Sequence, residues 1–126
     1  MCIGALDGKH VRCHCPANSG SLYFNFHGLF SVVLMAMCSA RYLYLFVNIE
    51  AVGSASDGGI LGRSGMKDAV YNKTLSLPED CLLPNSNVKC PYVITADDAF
   101  PLGRHLMKPY GGRNLEHAKR ILNYRL

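Results

Sequence analysis

Residues 29–49 read LFSVVLMAMCSARYLYLFVNI, and the interpretation of this run decides the fold. Its length and apolarity are those of a membrane-spanning helix. Arg41 interrupts it near the middle, however, and Tyr42, Tyr44 and Asn48 follow. Val32, Val33, Tyr42, Tyr44, Phe46, Val47 and Ile49 all favour strands. The run therefore predicts two core strands, residues 30–38 and 41–50, turning near Ser39-Ala40-Arg41. So short a link makes them an antiparallel hairpin, with residues 30–38 expected to be buried on both faces. No membrane partner is expected.

Working towards the N-terminus, residues 13–21 carry Pro16, Asn18, Ser19 and Gly20 and read as a loop. Residues 2–6 form a short apolar run that ends at Asp7-Gly8, which predicts a strand followed by a break. Towards the C-terminus, residues 53–59 are a small-residue loop. Ser56 or Asp57 is placed to cap a helix over residues 60–71, weakened by Gly62 and Gly65. Residues 77–90, with two prolines and several Asn and Ser, read as a loop. Residues 92–96 predict another short strand, ending at Asp97-Asp98. Pro101 opens a short helix that stops before Pro109, and Asn114 caps a last helix from Leu115 onward. Three strands, a helix, a strand and then helices describe an α/β chain. The expected sheet is mixed: three antiparallel strands, a right-handed crossover through the helix, and a fourth strand parallel to an earlier one.

The 126 residues suit one domain. With 49% hydrophobic and 17% charged residues, the chain has material for a core, which excludes wholesale disorder. Thirteen Lys and Arg against nine Asp and Glu give a net charge of +4, which permits a phosphate-rich partner without requiring one. Six cysteines without a basic-then-apolar leader read as free, buried thiols of a reducing compartment. Asn72-Lys73-Thr74 then matches a glycosylation acceptor by chance.

Two acids hold equivalent places. Asp7 follows the apolar run Ile3-Gly4-Ala5-Leu6, and Asp97 follows Tyr92-Val93-Ile94-Thr95-Ala96. If those strands are parallel neighbours, both carboxylates stand at one edge of the sheet, where open sheets bind ligands. Neighbouring carboxylates repel unless a cation sits between them. Mg²⁺ or Mn²⁺ suits such hard oxygen ligands and can promote phosphodiester hydrolysis. An Asp after a strand also serves simply as a turn residue.

A set of motifs gives this pattern a context. Asp7-Gly8-Lys9-His10-Val11, Pro16 and Ser19-Gly20-Ser21-Leu22-Tyr23-Phe24-Asn25 come first, followed by Phe30-Ser31-Val32-Val33-Leu34-Met35-Ala36. Ser56-Asp57-Gly58-Gly59-Ile60, Ala96-Asp97-Asp98-Ala99-Phe100-Pro101-Leu102, Met107-Lys108-Pro109-Tyr110 and Leu122-Asn123-Tyr124-Arg125-Leu126 complete it. In this order, across nearly the whole chain, they resemble the nuclease domain of PIF/Harbinger transposases and the nucleases that hosts have derived from them. The resemblance implies an RNase H-like fold, a DNA substrate, a nuclear location (or a cytoplasmic one) and two Asp plus one Glu holding a divalent metal ion. It assigns the first two acids to Asp7 and Asp97, as catalytic residues and as metal ligands. The family's Glu lies several residues beyond the Asn-Tyr-Arg-Leu-like segment, where this sequence stops, and the family's helix-turn-helix region is not within it. The expectation is a partial nuclease domain over residues 1–126, incomplete at both ends, inactive by itself and dependent on a separate DNA-binding protein. Glu116 lies on the motif's wrong side and reads as a solvated helix residue.

Other residues carry weaker expectations. Asp98 packs or caps, because adjacent strand residues point to opposite faces. Asp57 recurs in the family and reads as a helix cap. His10, Cys13, His14 and Cys15, with Cys81 and Cys90, offer a rival zinc site, but Cys-x-Cys is a poor chelating spacing. Lys9, Arg12, Arg104, Lys108, Arg113, Lys119, Arg120 and Arg125 are candidates for phosphate contacts or a solvated surface. The main rival to a nuclease is a non-catalytic remnant that binds DNA or a protein.

Overall fold

The computed structural model describes residues 1–66, 68 and 77–126, with the backbone alone at residues 50, 57 and 58. In chain order its elements are β1 (Cys2–Arg12), β2 (Ser31–Cys38), β3 (Tyr44–Val52), α1 (Asp57–Arg63), β4 (Cys81–Leu82), β5 (Lys89–Cys90), β6 (Val93–Ala96), β7 (Leu106–Met107) and α2 (His117–Arg125). Five strands form one sheet in the order β3-β2-β1-β6-β7, and β4 and β5 pair as a separate ribbon. β1, β2 and β3 are antiparallel. β6 runs parallel to β1, and β7 parallel to β6. The expected mixed sheet and its parallel fourth strand are therefore present, with β7 as an addition.

The run that decides the fold is a hairpin. Ser39 closes its turn: its backbone N–H donates to Leu43 O at 2.9 Å, and its carbonyl accepts from Tyr42 N at 3.0 Å. Ser39 Oγ accepts from the amides of Arg41 and Leu43 as well. Tyr42 takes a positive φ of 60°, and this wider turn delays β3 to Tyr44. Among the described residues no helix is long and apolar enough to cross a membrane.

β1 departs most from expectation. It does not break at Asp7-Gly8 but continues to Arg12, because β2 offers pairing partners as far as Arg12↔Ser31. On its other flank β6 stops at Ala96, the partner of Leu6. The break read in the sequence is thus real on one side of the strand only.

The core lies on one face of the sheet. Leu6, Val33, Met35, Met37 and Ile94 point into it, and Ile60 and Leu61 of α1, Met66, Phe100 and Leu106 complete it. α1 is set by Ser56, whose Oγ accepts from Gly59 N at 3.3 Å, and it closes at Ser64, whose N–H donates to Ile60 O. The helix expected over residues 60–71 is therefore interrupted at Ser64, and its last part lies outside the described residues. Gly4 packs so closely on β2 that a Cβ there would sit 2.5 Å from Cys38 O.

Other expectations are corrected. β2 is buried on one face only: Ser31, Val33, Met35 and Met37 are buried, while Val32, Leu34, Ala36 and Cys38 are half-exposed. Val11, Val47 and Ile49 are exposed. Residues 77–90 contain the β4–β5 ribbon. The helix expected from Pro101 is replaced by a turn and by β7, where burial of Phe100 and Leu106 outweighs local preference. α2 starts at His117 behind Glu116, not under an Asn114 cap, and buries none of its residues. All six cysteines are free, as expected, but none is fully buried.

Candidate active site

Asp7 comes from within β1, and Asp97 from the turn that follows β6. Their predecessors Leu6 and Ala96 are partners across the parallel β1–β6 pair. Parallel neighbours stand about 4.8 Å apart, so the register brings the two aspartates to adjacent positions. The alternation of side chains along a strand puts Asp7 on the open face with Ala5 and Lys9. Asp97 is the first residue beyond β6, directly after Ala96.

Each carboxylate is exposed and held by one local bond. Asp7 Oδ1 accepts from Gly8 N at 2.8 Å, and Asp97 Oδ1 accepts from Ala99 N at 2.9 Å in a tight turn. The second oxygen of each is without a hydrogen-bond partner among the described residues. Two exposed, hard oxygen donors without a neutralising base suit a divalent cation. Among the described residues no three or more His, Cys, Asp and Glu side chains are grouped to hold an ion. The same observation leaves Cys13, His14 and Cys15 ungathered: Cys15 lies against Ser19, while Cys81 and Cys90 face each other across the distant β4–β5 ribbon.

Asp98, Glu116 and Asp80 form ion pairs elsewhere. Asp98 pairs with Lys108 at 3.1 Å, and Lys108 Nζ also donates to the Asp98 carbonyl. Glu116 is exposed and lies 3.8 Å from Lys119. The side chain of Asp57 lies outside the described residues. Arg104 binds Asp80 at 2.6 Å. Lys9 and Arg12 carry no ion pair among the described residues, and both line a hollow of about 440 Å³ beside Asp7. This hollow follows the flank of β1 that β6 leaves open.

The far wall of the hollow is a loop whose structure the sequence reading did not foresee. Asn25 is 6% exposed and Ser31 is 1% exposed. Asn25 Nδ2 donates to Ser31 Oγ at 2.9 Å, and His10 Nδ1 lies 2.9 Å from the same hydroxyl. Asn25 Oδ1 accepts from the amides of His27 and Leu29. The signal was a single amide side chain between Phe24 and Phe26, a polar residue that such a run buries only if it is bonded. At the other end of β6, the thiol of Cys81 against the Tyr92 hydroxyl raises the pKa of Tyr92, well away from the aspartates.

A protein-family model described as DDE superfamily endonuclease matches residues 6–126 of this chain. No curated protein and no solved structure matches it.

Proposed function

The chain belongs to the DDE superfamily endonucleases, and from that premise we propose that it is a Harbinger-type nuclease domain built to hydrolyse DNA phosphodiesters with Mg²⁺ or Mn²⁺. The observation that carries this reading is the Leu6↔Ala96 register, which sets Asp7 and Asp97 side by side. Three antiparallel strands, a helix and a parallel return strand support an RNase H-like fold for it.

Asp7 and Asp97 are the ligands we assign, because their mutual repulsion is relieved by a cation held between them. A divalent ion there supplies positive charge against the scissile phosphate and its leaving oxygen. Lys9 and Arg12, unpaired beside Asp7, grip the flanking phosphates and fix the register of the strand. With two carboxylates and no third beside them among the described residues, the cation is held weakly, with a dissociation constant nearer millimolar than micromolar. The 126-residue chain then cleaves DNA slowly or not at all, and acts in the nucleus.

Plasmid nicking in Mg²⁺ or Mn²⁺, beside an Asp97→Asn control, tests this. Little or no nicking, together with Mn²⁺ binding by calorimetry that Asp7→Asn abolishes, is the expected result. Equal Mn²⁺ binding by Asp7→Asn removes Asp7 from the site. Robust nicking that Asp97→Asn loses means a further acid completes it. The lack of a third carboxylate grouped with Asp7 and Asp97 among the described residues favours one second reading, a remnant that binds DNA without cutting it. Salt-sensitive DNA binding with no Mn²⁺ binding supports that alternative.

A further inference from the structure

Phe26 is 82% exposed, the most exposed phenylalanine among the described residues. An aromatic ring left in water usually belongs to a mobile loop, but this one is fixed. Its loop is tied by Asn25, whose backbone N–H donates to Leu29 O at 2.8 Å and whose carbonyl accepts from Gly28 N at 3.0 Å. The Asn25 side chain adds its bonds to His27, Leu29 and Ser31. The ring itself is buttressed. His27 lies under it at 3.9 Å between centroids, tilted by 40°, and His10 meets it edge-on at 5.5 Å. Both histidines support the ring while most of its surface stays open to solvent.

Its surroundings say what such a ring is for. Phe26 walls the same hollow as Asp7, Lys9 and Arg12. A rigid aromatic surface beside unpaired basic residues is the combination that binds single-stranded nucleic acid, with bases stacking and phosphates paired to cations. A base pair inside a duplex is stacked on both faces and offers no free ring face, whereas an unpaired base does.

We infer that Phe26 is the stacking platform for one unpaired nucleobase of the DNA strand whose phosphate lies at Asp7. The inference rests on the nuclease reading and adds to it a substrate class: DNA that is locally unpaired beside the scissile bond. Stacking needs no cation, so it is measured in the presence of a chelator, where no cleavage occurs. The probe is a hairpin oligonucleotide carrying a fluorescent adenine analogue as a single unpaired base, compared with the same strand fully paired.

The wild-type chain is expected to quench the analogue and to prefer the unpaired oligonucleotide. Phe26→Ala should lose about tenfold in affinity for it while binding paired DNA as before, and Phe26→Trp should restore the preference. Because the ring is exposed, its removal leaves the core intact, and an unchanged circular dichroism spectrum checks this. If the wild type binds both oligonucleotides but Phe26→Ala quenches and binds like the wild type, the platform is overturned and the nuclease reading stands. If the wild type binds neither oligonucleotide, the platform is overturned, and Mn²⁺ calorimetry on the wild type and Asp7→Asn decides the nuclease reading separately.

Discussion

The two halves of β1 share one strand and one antiparallel partner, yet they do different things. Residues 2–6 run beside β6, and Ala5 and Leu6 at their end pair with β2 on the other flank as well. Here Gly4 and Leu6 are buried, and Leu6 belongs to the core, with Ile3 packed against that core. Residues 7–12 keep β2 but have lost β6. Asp7, Lys9, Val11 and Arg12 are exposed, and a hollow opens along the free flank. What separates the two halves is the length of β6, four residues. Where its hydrogen bonds end, full burial of the core-facing positions ends too, since Gly4 and Leu6 are buried while Gly8 and His10 are half-buried, and charged groups can be carried on a rigid strand without the desolvation that burial imposes.

Substitutions can break that comparison, and the first half should give the larger effects. Leu6→Ala opens a cavity in the core and should cost about 2–5 kcal/mol by denaturant titration. Gly4→Ala forces a methyl group against Cys38 O and should cost about 1–3 kcal/mol. An effect of Gly4→Ala below a few tenths of a kcal/mol would show that the β1–β2 contact gives way easily. In the second half, Asp7→Asn should change stability by less than about 0.5 kcal/mol while Mn²⁺ binding is lost in calorimetry. A large destabilisation by Asp7→Asn would mean that residues 7–12 are structural after all. Lys9→Ala and Arg12→Ala should leave stability unchanged as well. Each should reduce the slope of log affinity for DNA against log salt by about one unit, and a slope identical to wild type would take that residue off the phosphate backbone.

The sequence made this division half visible. The hairpin of β2 and β3 was legible because β-branched and aromatic residues flank an unmistakable interruption at Arg41. The parallel return of β6 was legible from its apolar run and the acids that end it. The same logic misplaced the end of β1, because Asp7-Gly8 looks like a stop from inside the strand. Whether a strand continues depends on its neighbour, and Arg12↔Ser31 is a long-range pairing that no local pattern announces. β7 was missed for a related reason: two residues carry no periodicity, and only burial of Leu106 beside Ile94 makes them a strand. The adjacent positions of Asp7 and Asp97, the residues proposed for the site, were readable from the two apolar runs that precede them. The loop around Phe26 was not, because its order comes from Asn25 and Ser31 meeting His10, which lies on another strand.

Asn25 also has a kinetic consequence. One carbonyl oxygen serves the amides of His27 and Leu29, and the same side chain anchors to Ser31. Both amides lose their acceptor at once when that amide group turns away. The loop therefore opens as one cooperative unit. In native-state hydrogen exchange the protons of His27 and Leu29 share a single opening free energy, and the ring of Phe26 is presented or withdrawn on that same clock.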